Sequence, residues 1–508
     1  MSNSLIGIDL GTTFSAIATL DDIGKPQIVP NSDSERITPS AVWFDLTDQQ
    51  VEVGTAALEE LFVTPEQVAV EPKRWMGDDY QFSIGSETYS PTQIAALILR
   101  KLARDAESTT GEIKKVVITV PANFSESARA ATMEAGKQAG LVVSHIINEP
   151  TAAVIYYATE HELSGRVLVY DLGGGTFDVT IADVKGQEVT IVTSQGDRHL
   201  GGKDIDRDLL QYCADAYQVE RGSALPSDPI STERYLNECE KAKRRFARAR
   251  VEDVRIPFDV EGELPFQAEL TREKFDELLS LYIARTETLI DVALSEAGSD
   301  SGDISEVILV GGSTRLSVVT DSLKQKFGKD PLAVGNVDEA VALGAAVYAG
   351  MKIDSADLNP VQRAAVGKVK LTDVCNSFFG TEALGGDLIT HNSILLEKNT
   401  PLPCSKTETY YTVMKNQARV DCTVTQSKFA ERDIDLVTVI SKSYLDLPAN
   451  LPEHSPIEVT YSYDENERMH AIFTEPSSGV QREVTLTPKS GENPDDEVAG
   501  SVDDFLLD

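Results

Sequence analysis

The pattern of hydrophobic and polar positions changes near residue 365. Before it, short apolar runs alternate with stretches whose apolar positions recur at helical spacing. The spacing predicts strands over 5–10, 115–120, 166–172 and 306–312, and helices over 91–107, 125–139 and 232–250. Ser90 precedes Pro91 at the start of the first of these helices, an arrangement favoured at helix N-termini. Strands interleaved with helices indicate an α/β architecture.

The remainder of the chain has a different texture. Short runs of period two, separated by Asn, Pro, Gly and charged residues, are typical of an all-β sandwich. Residues 352–373 are polar and interrupted by Pro and Gly, which predicts a linker between the two halves. Beyond Lys489 there are seven acidic residues and no basic one, which predicts a disordered acidic tail.

One segment of the α/β part is echoed later in the chain. Residues 6–17 and 168–181 share the order strand, Asp, Leu-Gly, small residues, Thr and second strand. Their acidic residues, Asp9 and Asp171, are 171 − 9 = 162 positions apart. A repeat at this spacing predicts two similar lobes that face each other across a cleft.

The repeated hairpins have the composition of phosphate-binding turns. Glycine lets the backbone approach a ligand closely, so residues 11–13 and 173–176 can direct N–H and hydroxyl donors at phosphate oxygens. Asp9 and Asp171 stand just before these turns, at strand ends, where carboxylates could hold a hydrated Mg²⁺. The alternative, a plain Gly-rich hairpin, accounts for one copy better than for a matched pair.

Other common sites are absent from the sequence. It contains no G-x-x-x-x-G-K-[ST] and no G-x-G-x-x-G after a strand, so P-loop and Rossmann interpretations fail. The six histidines are isolated, and no zinc or Ser-His-Asp signature is present.

Composition narrows the class of protein. The 508 residues include 46 Lys plus Arg and 82 Asp plus Glu, a formal charge of −36, which argues against nucleic acid and anionic membranes as partners. The N-terminus has no signal-peptide pattern, and the apolar stretches are too short to span a bilayer. Five scattered cysteines suggest reduced, buried thiols, and we therefore expect a cytoplasmic protein.

Three further features are ambiguous on their own. Gly311-Gly312-Ser313 after a strand suits a ribose, adenine or phosphate, or is a structural turn. Glu240, Lys243 and Arg244 share one helix face, and their spacing alone favours a solvated charged face. Lys73 is unremarkable by itself, and Glu149 before Pro150 is either a helix-capping residue or a functional carboxylate.

Taken in order, these segments resemble the heat shock protein 70 family of DnaK-type chaperones. The resemblance rests on IGIDLGTTFS, VVITVPANFSESARAAT, IINEPTAA, YDLGGGTFDV, LGGKDID, CEKAKRR, VILVGGSTR and DEAVALGAAV. It covers residues 4–351 strongly and 366–489 more loosely. It implies an actin-like ATPase domain of two ribonuclease H-like lobes (1–365), an interdomain linker (366–373), a β-sandwich that binds peptides (374–489) and the acidic tail (490–508).

The resemblance also implies roles for individual residues. Asp9 and Asp171 would hold Mg²⁺ through waters, and Lys73, Glu149, Asp171 and Thr176 would serve hydrolysis of ATP to ADP. The nucleotide-binding set would be Gly11, Thr12, Thr13, Phe14, Lys73, Gly173, Gly174, Gly175, Thr176, Gly201, Gly202, Glu240, Lys243, Arg244, Gly311, Gly312, Ser313, Arg315 and Asp338. Leu384 and Val420 would line the peptide groove, and Pro121 and Arg129 would relay between the domains.

Several positions depart from the family pattern. Lys370 and Thr372 interrupt the linker leucines, which weakens the expected docking. Asn123 replaces an aromatic residue, and His145 replaces an arginine on the surface read by J-domain co-chaperones. No helical lid follows the sandwich, and the chain ends in DDFLLD.

The leading hypothesis is a slow ATPase whose nucleotide state gates binding of unfolded or extended polypeptide, with J-domain and nucleotide-exchange partners. The polar linker and the missing lid leave open a nucleotide-gated adaptor for one folded partner. A sugar-kinase-type enzyme on the same fold fits INEPTAA, Lys73 and the β-rich C-terminal part poorly.

Overall fold

Helices alternate with strands through the first part of the chain and give way to strands after residue 370. The structure is a computed structural model that describes residues 5–113, 115–161, 163–248, 251–332, 337–353, 358–386, 388–464, 469–485 and 506–507. Its helices are α1 (Thr55–Glu60), α2 (Pro91–Thr110), α3 (Glu126–Gln138), α4 (Glu149–Glu160), α5 (Gly202–Arg221), α6 (Pro229–Phe246), α7 (Arg272–Glu296), α8 (Ser317–Phe327), α9 (Ala340–Lys352) and α10 (Pro360–Val366).

The strands fall into several sheets. In chain order they are β1 (Ile6–Asp9), β2 (Phe14–Leu20), β3 (Pro26–Ile28), β4 (Thr38–Pro39), β5 (Ala41–Asp45), β6 (Gln50–Val53), β7 (Val68–Val70), β8 (Phe82–Ile84), β9 (Glu87–Tyr89), β10 (Lys115–Val120), β11 (Val142–Asn148), β12 (Ser164–Leu172), β13 (Phe177–Lys185), β14 (Glu188–Asp197), β15 (Asp253–Phe258), β16 (Phe266–Thr271), β17 (Ile304–Val310), β18 (Lys370–Thr372), β19 (Phe378–Leu384), β20 (Thr390–Leu396), β21 (Cys404–Tyr411), β22 (Arg419–Ser427), β23 (Thr438–Asp446), β24 (Pro456–Tyr463), β25 (Met469–Glu475), β26 (Val480–Thr485) and β27 (Leu506–Leu507).

Two sheets of the α/β part have related topology. The first sheet has the order β11-β10-β1-β2-β3, with β4 paired to β2, and the second has the order β17-β12-β13-β14-β18. In each, an antiparallel hairpin (β1–β2 or β12–β13) adjoins a strand parallel to its first member. The internal echo in the sequence therefore falls on matching positions of the two sheets.

Helices α4 and α9 lie between these sheets and share one hydrophobic cluster with both. A Cβ at Gly344 of α9 would lie 1.8 Å from the carbonyl oxygen of Ala152 in α4, so only glycine permits this crossing. A Cβ at Gly7 of β1 would lie 2.2 Å from the backbone nitrogen of Ala346. These close approaches pack α9 directly against β1 and α4.

The C-terminal part forms two four-stranded sheets, β20-β19-β22-β23 and β21-β24-β25-β26. Their inward residues, among them Phe379, Val424 and Tyr461, make one buried cluster. We call this pair of sheets the sandwich, and it agrees with the period-two pattern after residue 365. Smaller sheets, β27-β6-β5-β7, β8-β9 and β15-β16, lie within or on the α/β part.

Several sequence predictions hold and others need correction. Helix α2 begins after the Ser90 N-cap, as predicted, whereas α3 begins at Glu126, one residue after its predicted start, because Ser125 is its N-cap. Helix α6 instead begins at Pro229 because Asp228 accepts the N-cap hydrogen bond from the Ser231 amide, three residues before the predicted start. The predicted linker contains a helix, α10, and a strand, β18, that pairs in parallel with β14.

The predicted disordered tail lies mostly outside the described residues. Its described part, Leu506–Leu507, forms strand β27 parallel to β6, so disorder is wrong for that pair. The five cysteines are free, as the composition suggested. Among the described residues, every helix is too short or too polar to cross a bilayer.

Candidate functional site

A cavity of about 440 Å³ opens where the hairpins of the two sheets face each other. The turns after β1 and β12 supply one end of it, and the start of α5, one face of α6 and the turn after β17 supply its walls. Both polar and apolar side chains reach the cavity.

The two Gly/Thr turns touch at their tips. A Cβ at Gly174 would fall 1.9 Å from Thr13 Oγ1, and one at Gly175 would fall 2.5 Å from Thr12 Cγ2. Thr13 Oγ1 is buried and has no hydrogen-bond partner among the described residues. A buried hydroxyl without a partner is costly, so this atom is available to a ligand in the cavity.

Asp9 and Asp171 end their strands at the cavity. Thr119 Oγ1 donates a 2.8 Å hydrogen bond to Asp9 Oδ1. Burial raises the pKa of Asp171 well above its ordinary value, and the nearby Glu149 and Asp9 carboxylates add to this. Burial also raises the pKa of Asp9, although Lys73 opposes the shift. The protein alone therefore leaves negative charge here poorly compensated, which favours binding of a cation.

Lys73 and Glu149 form a buried ion pair beside these carboxylates. Lys73 lies in a short 3₁₀ turn, Pro72–Trp75, that follows Glu71 in the left-handed conformation with φ 57°. Glu149 is the first residue of α4, and its carboxylate accepts from Lys73. Burial would lower the pKa of Lys73, but Glu149 and the cavity aspartates raise it above its ordinary value, so the amine stays charged.

The charged face of α6 lines the cavity, and Lys243 is buried. Lys243 Nζ donates 2.6 Å to Asp206 Oδ2 and 2.7 Å to the Gly202 carbonyl, both at the start of α5. Glu240 lies 3.3 Å from Lys203 Nζ. Burial would raise the pKa of Glu240, but Lys203, Lys243 and Arg244 lower it to about 2. The spacing-based expectation of a solvated face is therefore wrong.

The turn after β17 forms the opposite wall. Gly311 has φ 83°, and a Cβ there would lie 2.4 Å from the Leu172 carbonyl oxygen, so the turn requires glycine. Ser313 Oγ donates 2.9 Å to the carbonyl oxygen of Gly173, which joins this turn to the second hairpin. Arg315 pairs with Asp338 at 2.8 Å across the rim.

The structure brings the sequence-predicted nucleotide residues to this one cavity, except Gly175 and Gly201. The Gly175 carbonyl accepts from Arg74 at 3.2 Å, and the Gly201 amide donates to Asp204 at 2.9 Å, so both support the hairpin from behind. Sequence reasoning missed Ile37, Lys203, Ala247, Val310, Leu316, Val337 and Val341. Lys203 directly follows Gly201-Gly202, and this position next to a predicted binding turn could have identified it. The missed apolar residues have no such neighbouring motif.

The donor set suits a nucleoside triphosphate with Mg²⁺. The amides and hydroxyls of the hairpins suit phosphate oxygens, and the Lys73 ammonium suits the negative charge of the phosphates. The apolar wall suits the base. The described residues contain no group of three or more acidic, His or Cys side chains able to enclose a metal. Mg²⁺ commonly takes one or two carboxylates together with waters and phosphate oxygens, and Asp9 and Asp171 could supply the carboxylates.

The predicted peptide-groove residues lie elsewhere, on the sandwich. Leu384 ends β19 and is 46% exposed, whereas Val420 of β22 is half-buried against the sandwich core. Further exposed apolar residues lie on strands and loops of the sandwich; they are Leu388, Ile389, Tyr411, Val413, Met414, Phe429, Leu436, Val439, Tyr444 and Val480.

The sandwich contacts α3, α7 and strand β14 of the α/β part. Lys398 pairs with Glu296 at 2.9 Å, and Lys428 Nζ donates 2.8 Å to the Gly196 carbonyl. On α3, the Glu126 amide donates to Gln426, and the Glu126 carboxylate accepts from Tyr463 at 2.7 Å. We call this set of contacts, together with the β14–β18 pairing, the docked arrangement.

A comparison with known protein families agrees with these features. The family model described as Hsp70 protein matches residues 5–87 and 79–505, nearly the whole chain.

Proposed function

The chain belongs to the Hsp70 family, whose members are ATP-dependent chaperones, and we propose that it couples ATP hydrolysis to the binding of extended polypeptide. The observation that carries this proposal is the cavity in which two matched hairpins, a buried Lys–Glu pair and two strand-end aspartates converge. We assign residues 1–365 to a two-lobed actin-like ATPase, 366–373 to the linker and 374–489 to the peptide-binding sandwich.

Hydrolysis would depend on positioning and charge neutralisation, because phosphoryl transfer to water needs no covalent nucleophile. Asp9 and Asp171 would hold Mg²⁺, which neutralises phosphate charge and orients the phosphate chain when bound. Lys73 would contact the terminal phosphate and stabilise the charge that develops there. Glu149, held by Lys73, would accept a proton from the attacking water, and Thr176 would position the phosphate.

The charged and apolar walls would hold the nucleoside. Lys243 is committed to Asp206 and Gly202, so its role is to fix the start of α5 beside the phosphates. Arg244 and Arg315, on opposite sides of the cavity, remain accessible at the rim. Basal turnover is expected to be slow, on the order of 10⁻⁴–10⁻² per second, as in unassisted nucleotide hydrolases of other folds.

One chain of contacts supports coupling between the two functions. Tyr463 of the sandwich contacts Glu126 at the first turn of α3. One turn later, Arg129 donates 2.7 Å to Asn148, the residue that precedes Glu149. A shift of α3 on undocking would therefore reach the carboxylate that contacts Lys73. Pro121, which precedes this helix, is buried beside the same segment.

Binding of extended polypeptide is supported by the exposed apolar side chains of the sandwich. Extended peptides bind such surfaces through backbone hydrogen bonds and apolar pockets. A J-domain partner, a nucleotide-exchange partner and a cytoplasmic location stay predictions. His145 and Asn123 are the positions that bear on the J-domain partner.

The decisive measurement is release of a fluorescent apolar peptide from the whole chain with and without ATP. We expect ATP to accelerate release of the peptide and peptide to weaken ATP binding, since coupling between two binding sites is reciprocal. Because the contacts through α3 and Asn148 lead to Glu149, we also expect peptide to stimulate hydrolysis. Arg129→Ala should leave ATP binding intact and reduce the acceleration. Equal release rates with and without ATP would contradict gating, and failure to bind diverse peptides would favour an adaptor for one folded partner.

A further inference from the structure

Strand β6 forms the edge of a small sheet in the α/β part, and β27 of the C-terminal tail covers it. Residues 50–53 pair with β5 on one side, from Val42↔Val53 to Asp45↔Gln50. On the other side, Leu506 pairs with Gln50 and Leu507 with Val51, in parallel. Without this partner, β6 would present a row of unpaired amide and carbonyl groups.

The paired segment is distinctive within the tail. Phe505, Leu506 and Leu507 are the only three consecutive apolar residues after Lys489, and Asp503, Asp504 and Asp508 flank them. A short apolar run inside an acidic tail is the composition expected of a docking segment rather than of a simple solubilising tail.

We propose that the edge of β6 is a strand-addition site for an extended apolar segment, and that the C-terminal Leu506–Leu507 of this chain is its occupant. Main-chain hydrogen bonds give affinity in this mode of recognition, and alternate side chains give specificity. The site lies apart from the nucleotide cavity and from the exposed apolar residues of the sandwich, so it is independent of the proposed function.

The tail is long enough to act within one molecule. Twenty residues separate Thr485, at the end of β26, from Leu506. At about 3.3–3.6 Å per residue, they span up to roughly 70 Å when extended. Tethering also raises the effective concentration of the segment to the millimolar range, so a weak two-residue pairing can be populated. A docked tail links the end of the sandwich to the α/β part by a second connection, in addition to β18.

Charge opposes this docking, which makes its salt dependence diagnostic. Residues 41–72, which surround β6, contain seven acidic residues and no basic one, and residues 490–508 also contain seven acidic residues. Binding must therefore come from the main-chain pairing, against electrostatic repulsion. Added salt screens that repulsion, so it should strengthen docking, opposite to its effect on a salt-bridged interface.

The test compares hydrogen exchange in the whole chain and in the variant L506D/L507D, measured over residues 46–54. We expect exchange on the order of tenfold faster in the variant, because the β6 edge loses its partner. Val498→Asp adds a charge to the same tail outside the strand and serves as the control. Unchanged exchange in L506D/L507D, or an equal increase in Val498→Asp, would overturn the proposal.

A second measurement identifies the occupant. A labelled peptide of residues 500–508 should bind the L506D/L507D chain, bind more tightly in 0.5 M than in 0.05 M NaCl, and bind the unmodified chain more weakly. A peptide carrying both Asp substitutions should not bind. If protection of residues 46–54 in the unmodified chain falls on dilution, the occupant is the tail of a second copy and the intramolecular assignment is wrong.

Discussion

The ion pair of Lys73 and Glu149 has its charges almost fully removed from water, with side chains 4% and 8% exposed. Removing one partner of such a pair costs about 3–5 kcal/mol, because the other charge stays buried without compensation. We therefore predict that Lys73→Ala lowers the melting temperature of the nucleotide-free protein. ATP should still bind through the hairpins, while single-turnover hydrolysis falls roughly 10²–10³-fold.

Lys101 offers a matched control for this variant. It is also buried and pairs with Asp105 at 2.5 Å, one turn along α2 and away from the cavity. Lys101→Ala should reduce stability but leave the rate of hydrolysis unchanged. Ordinary hydrolysis in Lys73→Ala, or an equal loss of rate in both variants, would remove Lys73 from the catalytic set.

Gly201 supports the second hairpin from behind. A Cβ there would lie 2.5 Å from the backbone nitrogen of Gly175, which cannot move without shifting the turn. Overpacking of this kind costs about 1–3 kcal/mol. We predict that Gly201→Ala weakens ATP binding by about tenfold or more, measured by calorimetry. Gly302→Ala is the control: nothing lies within 4 Å of a Cβ added there, so this variant should bind ATP normally. Normal ATP affinity in Gly201→Ala would contradict the supporting role of Gly201.

At the scale of single residues, the sequence indicated the turns better than the side-chain partners. Glycine, threonine and aspartate at repeated spacing indicate a tight phosphate-binding type of turn, and the conformation of such a turn depends only on nearby residues. The partner of Lys243 is Asp206, 37 positions earlier and on another helix, and no local pattern contains this information. The apolar lining, for example Ile37 and Val341, is indistinguishable in sequence from ordinary core.

The linker strand β18 shows how a polar replacement can be accommodated. Leu371 packs against the cluster between the two sheets, whereas Lys370 points outward and pairs with Glu188 at 2.5 Å. We predict that Leu371→Ala frees the linker, since it removes about 1–2 kcal/mol of apolar burial. Hydrogen exchange at residues 188–190 should rise, and stimulation of hydrolysis by peptide should fall.

Lys370→Ala is the control for the linker prediction. Exposed ion pairs contribute little, so this variant should keep the exchange protection of β14 and the response to peptide. If Lys370→Ala were as disruptive as Leu371→Ala, the salt bridge would be the main contact of the strand. Lys370 would then support docking, and the expectation that polar replacements weaken docking would be wrong at this position.

Elements with local signals were predicted well, and elements that depend on distant partners were not. Ser90 marked the start of α2, because an N-cap signal is local. Strand β18 exists because β14, some 180 residues earlier, presents a free edge to it. Its sequence alone, with Lys and Thr among apolar residues, favoured a linker. The same reason explains why β27 was not predicted.

The whole molecule depends on contacts between the sandwich and α3, and one of these contains a buried carboxyl group. Burial raises the pKa of Glu126 above its ordinary value of 4.5, although Arg129 and the Tyr463 hydroxyl lower it, and Asp464 raises it further. Tyr463 and Asp464 belong to the sandwich. The sandwich covers Glu126 only in the docked arrangement, so undocking removes burial, the largest cause of the raised pKa. The docked state therefore binds a proton on Glu126 more tightly than the undocked state.

The sign of the pH dependence follows from linkage. At pH values below 4.5 Glu126 is protonated in both states and does not bias docking. As the pH rises, Glu126 ionises first in the undocked state, so docking weakens until the pH exceeds the raised pKa. Glu296, which pairs with Lys398 of the sandwich, behaves in the opposite way. Burial raises its pKa, but Thr193 and Lys398 lower it below its ordinary value. Its contribution to docking is therefore lost only when the pH falls through this lowered pKa.

We predict that Glu126→Gln strengthens docking near pH 7.5 and flattens its pH dependence above pH 4.5, because the amide keeps an acceptor for Tyr463 without a charge. A fluorophore pair, one on the sandwich and one on the first sheet, measures docking directly. Glu134→Gln on the outer part of α3 should have no effect, and Tyr463→Phe should weaken docking at every pH. If Glu126→Gln instead weakened docking as much as Tyr463→Phe, Glu126 would be bound as a carboxylate, and the proton linkage would be wrong.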